Sequence, residues 1–224
     1  MTNAILAVAG LVIIAVVLSG WLRSVLHRTA AATGDPSMAA VLAGLAGSRT
    51  RLVAAALVDL NDSQIVRSAG IGADAETRFE IGSVTKGMTG MLLAISHRAR
   101  SWTMDAYAPA GGVISTSADM TTLVRALLDG SAPGASATTS LLPIAGDPSA
   151  RDIGMFWMID HAPGTERTMV WHNGQTGGYS SFVALYPQAR RGVVVLANVA
   201  RAKVAQRVAT GLTEWLVRGD RGTL

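Results

Sequence analysis

Phe79-Glu-Ile-Gly-Ser-Val-Thr-Lys86, followed at once by Gly87-Met-Thr-Gly-Met-Leu-Leu-Ala94, puts a serine and a lysine three residues apart at the head of an apolar run. The run reads as a buried helix. On a helix, positions i and i+3 share a face, so the Ser83 hydroxyl and the Lys86 amine can meet. A serine hydroxyl is a poor nucleophile near neutral pH and needs a neighbour that takes its proton. A lysine amine held partly out of water can do this. Lysine is otherwise scarce here: only Lys86 and Lys203 occur, and every other basic residue outside the histidines is arginine. Arginine cannot serve as a base near neutral pH, so Lys86 supplies what the rest of the cations cannot.

An isolated Ser-x-x-Lys match is ordinary helix surface far more often than chemistry. The whole phrase from Phe79 to Ala94, however, resembles the active-site helix of the serine β-lactamase and penicillin-binding-protein superfamily, in its class C β-lactamase-related branch. That branch also contains esterases and D-amino-acid peptidases. A second segment, Trp171-His-Asn-Gly-Gln-Thr-Gly-Gly-Tyr-Ser180, resembles the strand motif that reads Lys-Thr-Gly in penicillin-binding proteins and often His-x-Gly in the esterase-like branch. Here it is His172-Asn173-Gly174, with Gln175 next. A third, Tyr107-Ala-Pro-Ala-Gly-Gly112 and on to Asp119, matches the loop and helix that follow the family's helical subdomain.

The resemblance covers roughly residues 52–216. It implies an acyl-enzyme mechanism with Ser83 as nucleophile and Lys86 as base. His172 would then donate to a substrate carboxylate or steer protons, and backbone N–H groups of Ser83 and Gln175 would form an oxyanion hole. Asn173, Gly174 and Gln175 become the expected substrate-binding residues, with glycine at 174 allowing a substrate carbonyl to approach the strand backbone. A histidine at a strand end that merely bonds a neighbour is the simpler reading of His172. One departure matters. The family carries a Tyr-x-Asn motif in a large, mostly helical insert, but only residues 87–108 separate Lys86 from Pro109. No Tyr-x-Asn occurs: Tyr107, Tyr179 and Tyr186 are followed two positions on by Pro109, Ser181 and Gln188.

At the N-terminus, Ala4 to Leu22 (AILAVAGLVIIAVVLSGWL) has neither charge nor proline. At about 1.5 Å per residue it can just cross a hydrocarbon core of about 30 Å. Trp21 closes it at interfacial depth, and Arg23, His27 and Arg28 follow. A cleaved signal peptide competes, but no basic region precedes the run and no clear Ala-x-Ala site ends it. The arginines after the span favour a cytoplasmic C-terminus, whereas the resemblance implies a domain on the outer face of the cytoplasmic membrane; the latter is the expectation.

The remaining sequence reads as alternating elements. Leu52–Asp59 and Gln64–Ser68 are expected as strands joined by a turn at Asn61-Asp62-Ser63. Ser115–Asp119 caps a helix to about Leu128, and Gly130–Ser140 is a loop. Strands are expected at Ile153–Ile159, Thr168–Trp171, Ser181–Tyr186 and Gly192–Asn198, then a closing helix at Val204–Val217. This order predicts an α+β fold, an antiparallel sheet flanked by helices, resembling a truncated β-lactamase/transpeptidase domain behind an N-terminal transmembrane helix. The expected division is a membrane anchor (1–28), a connector (29–51) with one helix at Pro36–Leu45, the hydrolase domain (52–218) and a tail (219–224).

Composition narrows the partners. Cysteine is absent, which excludes disulfides and a thiolate zinc site. No cofactor or metal is expected. The net charge of +4 comes from scattered arginines with little aromatic interleaving, which argues against nucleic acid and fits anionic lipid or cell-wall polymer. Three readings follow: a membrane-anchored serine hydrolase acting on a small-molecule, peptidoglycan-like or ester substrate; a degenerate relative that binds such ligands without turnover; and a chain whose apolar flank, left by the missing subdomain, docks on a protein partner. Membrane lipid is the expected partner of residues 4–22.

Overall fold

The computed structural model describes residues 31–47, 50–61, 65–95, 108–138, 142–143, 152–161 and 167–221. The apolar segment Ala4 to Leu22 and Tyr107 lie outside the described residues. Among the described residues, no helix is long and apolar enough to cross a membrane.

In chain order the elements are β1 (Ala32–Gly34), α1 (Pro36–Ala46), β2 (Val53–Asp59), β3 (Ile65–Ile71), β4 (Phe79–Glu80), α2 (Val84–Ile95), α3 (Ala108–Gly111), β5 (Ile114–Ser115) and α4 (Ser117–Leu128). Then follow β6 (Leu142–Pro143), β7 (Asp152–Ile153), β8 (Met158–His161), β9 (Thr168–Gln175), β10 (Ser180–Tyr186), β11 (Arg191–Ala197) and α5 (Ala202–Arg221). Nine strands form one antiparallel sheet in the order β1-β3-β2-β11-β10-β9-β8-β7-β6, and β4 pairs with β5 separately.

The sheet is covered on both faces, which is why its central strands read as continuous apolar runs rather than alternating ones. Side chains two apart share a face. Ala54, Ala56 and Val58 of β2, Val183 and Leu185 of β10, and Val194 and Leu196 of β11 pack with Phe79, Ile81, Val84, Met120, Val124 and Leu127 under α2 and α4. Their neighbours Val53, Ala55, Leu57, Phe182, Ala184, Val193 and Val195 pack on the opposite face with Met38 and Leu42 of α1 and Ala205, Val208, Ala209 and Leu212 of α5. The four α5 residues recur at i, i+3, i+4 and i+7, the stripe of an amphipathic helix.

The α+β class, the antiparallel sheet and its flanking helices are as the sequence predicts, with three differences in detail. The segment expected as a connector has its expected helix, at Pro36–Ala46, but it also supplies an edge strand, and the helix is packed on the sheet: β1 pairs with β3, and Met38, Ala39, Leu42 and Ala46 are buried. Its start is well signalled, since the Asp35 carboxylate accepts from Met38 N–H at 2.8 Å and Pro36 opens the helix. The strand expected over Ile153–Ile159 is instead two strands, β7 and β8. A turn closed by Gly154 N–H to the Trp157 carbonyl (2.9 Å) breaks it, with Phe156 at φ 63° and the Trp157 ring fully buried. Burying that indole reverses the chain, which alternation alone does not disclose. Finally, β9 runs to Gln175, four residues past the expected end.

Candidate active site

Ser83 is the last residue before α2, and both it and Lys86 on the first turn are half-buried. The Lys86 Nζ donates to Ser83 Oγ at 2.6 Å and to the Ala110 carbonyl at 2.9 Å. Those two contacts define the amine's geometry. They hold Nζ within proton-transfer reach of the serine hydroxyl, which is the geometry a base requires. The Ala110 carbonyl is supplied by the short helix α3, within the third matching segment.

Two interlocks hold the Ser83 turn against β9 and β10. Gly82 adopts φ +51°, and a Cβ there would lie 2.8 Å from the Gln175 backbone nitrogen. The Gly82–Ser83 peptide therefore rests directly on Gln175, the pairing that a two-N–H oxyanion hole needs. The Ser181 Oγ donates to the Ile81 carbonyl at 2.7 Å in a fully buried contact. Phe79 and Tyr179 add an edge-to-face ring pair at 6.1 Å between the same two segments. Ser181 stands one residue beyond the second motif, so no spacing rule marks it.

His172, on β9, shares its face with Gly174 and with the Val170 side chain that packs under α2. Its Nδ1–H donates to the Asn173 carbonyl at 2.6 Å, since a carbonyl can only accept. That leaves Nε2 as the acceptor in the neutral ring. Burial pushes the His172 pKa below its ordinary value; the bond to Asn173 opposes this, and the nearby Lys86 charge reinforces it. Burial thus favours the neutral imidazole, whose free Nε2 can accept a proton.

The three expected substrate-binding residues are placed differently from one another. Gln175 contributes its backbone beside Gly82, while its side-chain carbonyl accepts from Ala202 N–H at 2.9 Å at the start of α5. Gly174 is buried, and a Cβ would lie 2.0 Å from the Ile81 carbonyl oxygen and 2.4 Å from Ser181 Oγ. Its bare backbone admits the Ser83 turn, where the sequence analysis expected room for a substrate carbonyl. Asn173 alternates onto the face of Trp171, away from His172, so its side chain is not brought to Ser83. Beyond Trp171, paired to Met158, β8 no longer covers the outer edge of β9, and Gly174 and Gln175 meet the Ser83 turn.

The Beta-lactamase family model matches residues 94–213, and the chain belongs to that family, within the serine β-lactamase and penicillin-binding-protein-like superfamily of serine hydrolases. The matched span includes His172 and Gln175 and begins after Lys86. Among solved structures, a β-lactamase from Sulfitobacter sp. EE-36 superposes with a TM-score of 0.63 at 13% identity, over 81% of this chain and 98% of the other. A β-lactamase/D-alanine carboxypeptidase from Pseudomonas syringae superposes at 0.62 with 12% identity, over 80% and 99%. No curated protein matches the chain.

Proposed function

We propose that this chain is a membrane-anchored serine hydrolase that opens amide or ester bonds through an acyl-enzyme, with slow release of the acyl group. The observation that carries the reading is the Lys86 amine held between Ser83 Oγ and the Ala110 carbonyl. In the first step Ser83 Oγ attacks the substrate carbonyl carbon as its proton passes to Lys86. The resulting oxyanion is met by the N–H groups of Ser83 and Gln175. Collapse expels the amine or alcohol, which takes the proton back from Lys86, and leaves an ester on Ser83. Water must then attack that ester. His172, neutral and with Nε2 as acceptor, is the group best suited to help take the water's proton.

Deacylation is the weak step. No Tyr-x-Asn is present to supply the family's further acid/base group, and loss of such a group costs roughly 10²- to 10⁴-fold in rate. The substrate class is small-molecule, peptidoglycan-like or ester. The apolar run Ala4 to Leu22 supports the anchor, with the domain on the outer face of the cytoplasmic membrane and residues 1–28 separate from the catalytic domain. A second reading, a ligand- or partner-binding relative without turnover, is favoured by the same missing motif and by the exposure of Leu92 (64%) and Ile114 (62%), large apolar side chains unusual at a surface. Intact mass after exposure to a fluorophosphonate and to a penicillin separates the two. An adduct lost in Ser83→Ala supports the hydrolase; absence of any covalent adduct supports the binder.

A further inference from the structure

On the sheet face opposite α2, a cleft of about 460 Å³ opens where the end of α1 meets the start of α5. Its walls are Ala46, Gly47, Thr50, Val199, Arg201, Val204 and Arg207. The volume falls within the range of about 300–1,000 Å³ usual for small-molecule sites. Two of its walls are guanidinium groups, and among the described residues neither Arg201 nor Arg207 is ion-paired with a carboxylate. The Arg207 Nη2 donates to the Leu45 carbonyl at 3.3 Å, which holds this side chain across the end of α1. Arg201 immediately precedes α5, at the positive end of a 20-residue helix. The Thr50 hydroxyl spends its proton on the Ala46 carbonyl (2.8 Å), and Gln175 takes the Ala202 N–H, so the donors left facing a ligand are the guanidinium groups. Ala46, Val199 and Val204 give the rest of the lining its apolar character.

We propose that this cleft binds a small oxyanion carrying an apolar tail, a phosphate monoester being the simplest example. Planar guanidinium forks match the oxygens of phosphate and carboxylate, and a pair of them unneutralised beside an apolar wall is matched by an amphiphilic anion. The inference is independent of the chemistry at Ser83, because none of the cleft residues belongs to that site. It differs from a diffuse basic surface in predicting saturation and dependence on two named arginines.

The test is calorimetric titration of the full chain at low salt, held in detergent-free phosphatidylcholine nanodiscs, with glycerol phosphate, with short-chain alkyl phosphate, and with phosphatidic acid in phosphatidylcholine vesicles. Saturable binding of one equivalent is expected, tighter for the alkyl phosphate than for glycerol phosphate. Arg201→Gln and Arg207→Gln should each weaken it about tenfold or more, the loss of a hydrogen bond to a charged group. Lys203→Gln, on the same helix but outside the cleft, should leave it unchanged. Binding of the soluble esters identifies a free metabolite as the source of the oxyanion; saturable, arginine-dependent binding of the vesicles alone identifies a lipid headgroup. Either supports the site. No saturable binding to any probe, or binding that falls equally in Lys203→Gln, overturns it. Unchanged circular dichroism and melting temperature in each variant exclude loss of fold as the cause.

Discussion

Ser83 and Lys86 are useful only together, and that interdependence is measurable. Fluorophosphonate labelling should fall to background in Ser83→Ala, because the bond-forming atom is gone. Lys86→Ala should lower the labelling rate by at least roughly 10²-fold, the ordinary worth of a positioned base. The double variant should be no worse than Ser83→Ala, since a unit cannot be removed twice. Undiminished labelling of Ser83→Ala would place the nucleophile elsewhere. His172 makes the pH behaviour specific. Its pKa is depressed by burial and then by Lys86, so the neutral ring is the folded form around neutrality. Below the ordinary histidine value of about 6.5 the unfolded chain takes up a proton that the folded chain resists. Stability should therefore fall as pH drops through 6.5 towards the lowered value, and rise again on return. Denaturant midpoints measured between pH 5 and 8 should show this slope in the wild type and a flatter one in His172→Gln. An identical slope in both would remove His172 from the account.

At the scale of the element, the site depends on how closely the Ser83 turn seats on β9. Gly174 is the tightest point, because a side chain would collide with the Ile81 backbone as well as with the Ser181 hydroxyl, and the backbone cannot swing aside. Gly174→Ala should cost about 3 kcal/mol, the upper end for overpacking, and lower the melting temperature by roughly 6–12 °C. If the variant melts like the wild type, the two elements are further apart than the structure has them. Ser181→Ala is gentler: it removes the donor to the Ile81 carbonyl, a loss of about 1–3 kcal/mol for a buried group left short of a partner. Because the same turn carries the Ser83 N–H, both changes should also slow acylation in whatever fraction remains folded.

For the whole molecule, the question is how a complete sheet works with so little chain between its two motif segments. Burst kinetics on an activated ester should give a stoichiometric first turnover and a nearly flat steady state, because acylation draws on groups that are present and deacylation on one that is not. Rapid, sustained turnover that vanishes in Ser83→Ala would show that His172 or another group replaces the missing base. The anchor is tested on membranes: the full chain should resist high salt and alkaline carbonate and yield to detergent, whereas charge-held protein would wash off as salt screens it. A soluble product beginning at Trp21 or later would make the N-terminal run a cleaved leader.

Local pattern was enough for the α+β class, for the helix carrying Ser83 and Lys86, and for strands such as Ser180–Tyr186, because apolar periodicity and capping residues act over a few positions. The i, i+3 contact at 2.6 Å is likewise a property of one helical turn. What local pattern could not contain was long-range seating. The Ala110 carbonyl on Lys86, the Ser181 hydroxyl on Ile81, the use of Gly174 to admit a neighbouring turn, and the turning of Asn173 to the far face all depend on which strand lies beside which. The helix at Pro36–Leu45 was legible, but the strand before it and the packing of both were not, because alanine and glycine carry little pattern of their own and pack only once a sheet face exists to receive them. Spacing along the chain fixes which groups can react, but sheet register decides which of them meet, since a side chain's face is set by pairing with partners as distant in the chain as Ala197 is from Val53.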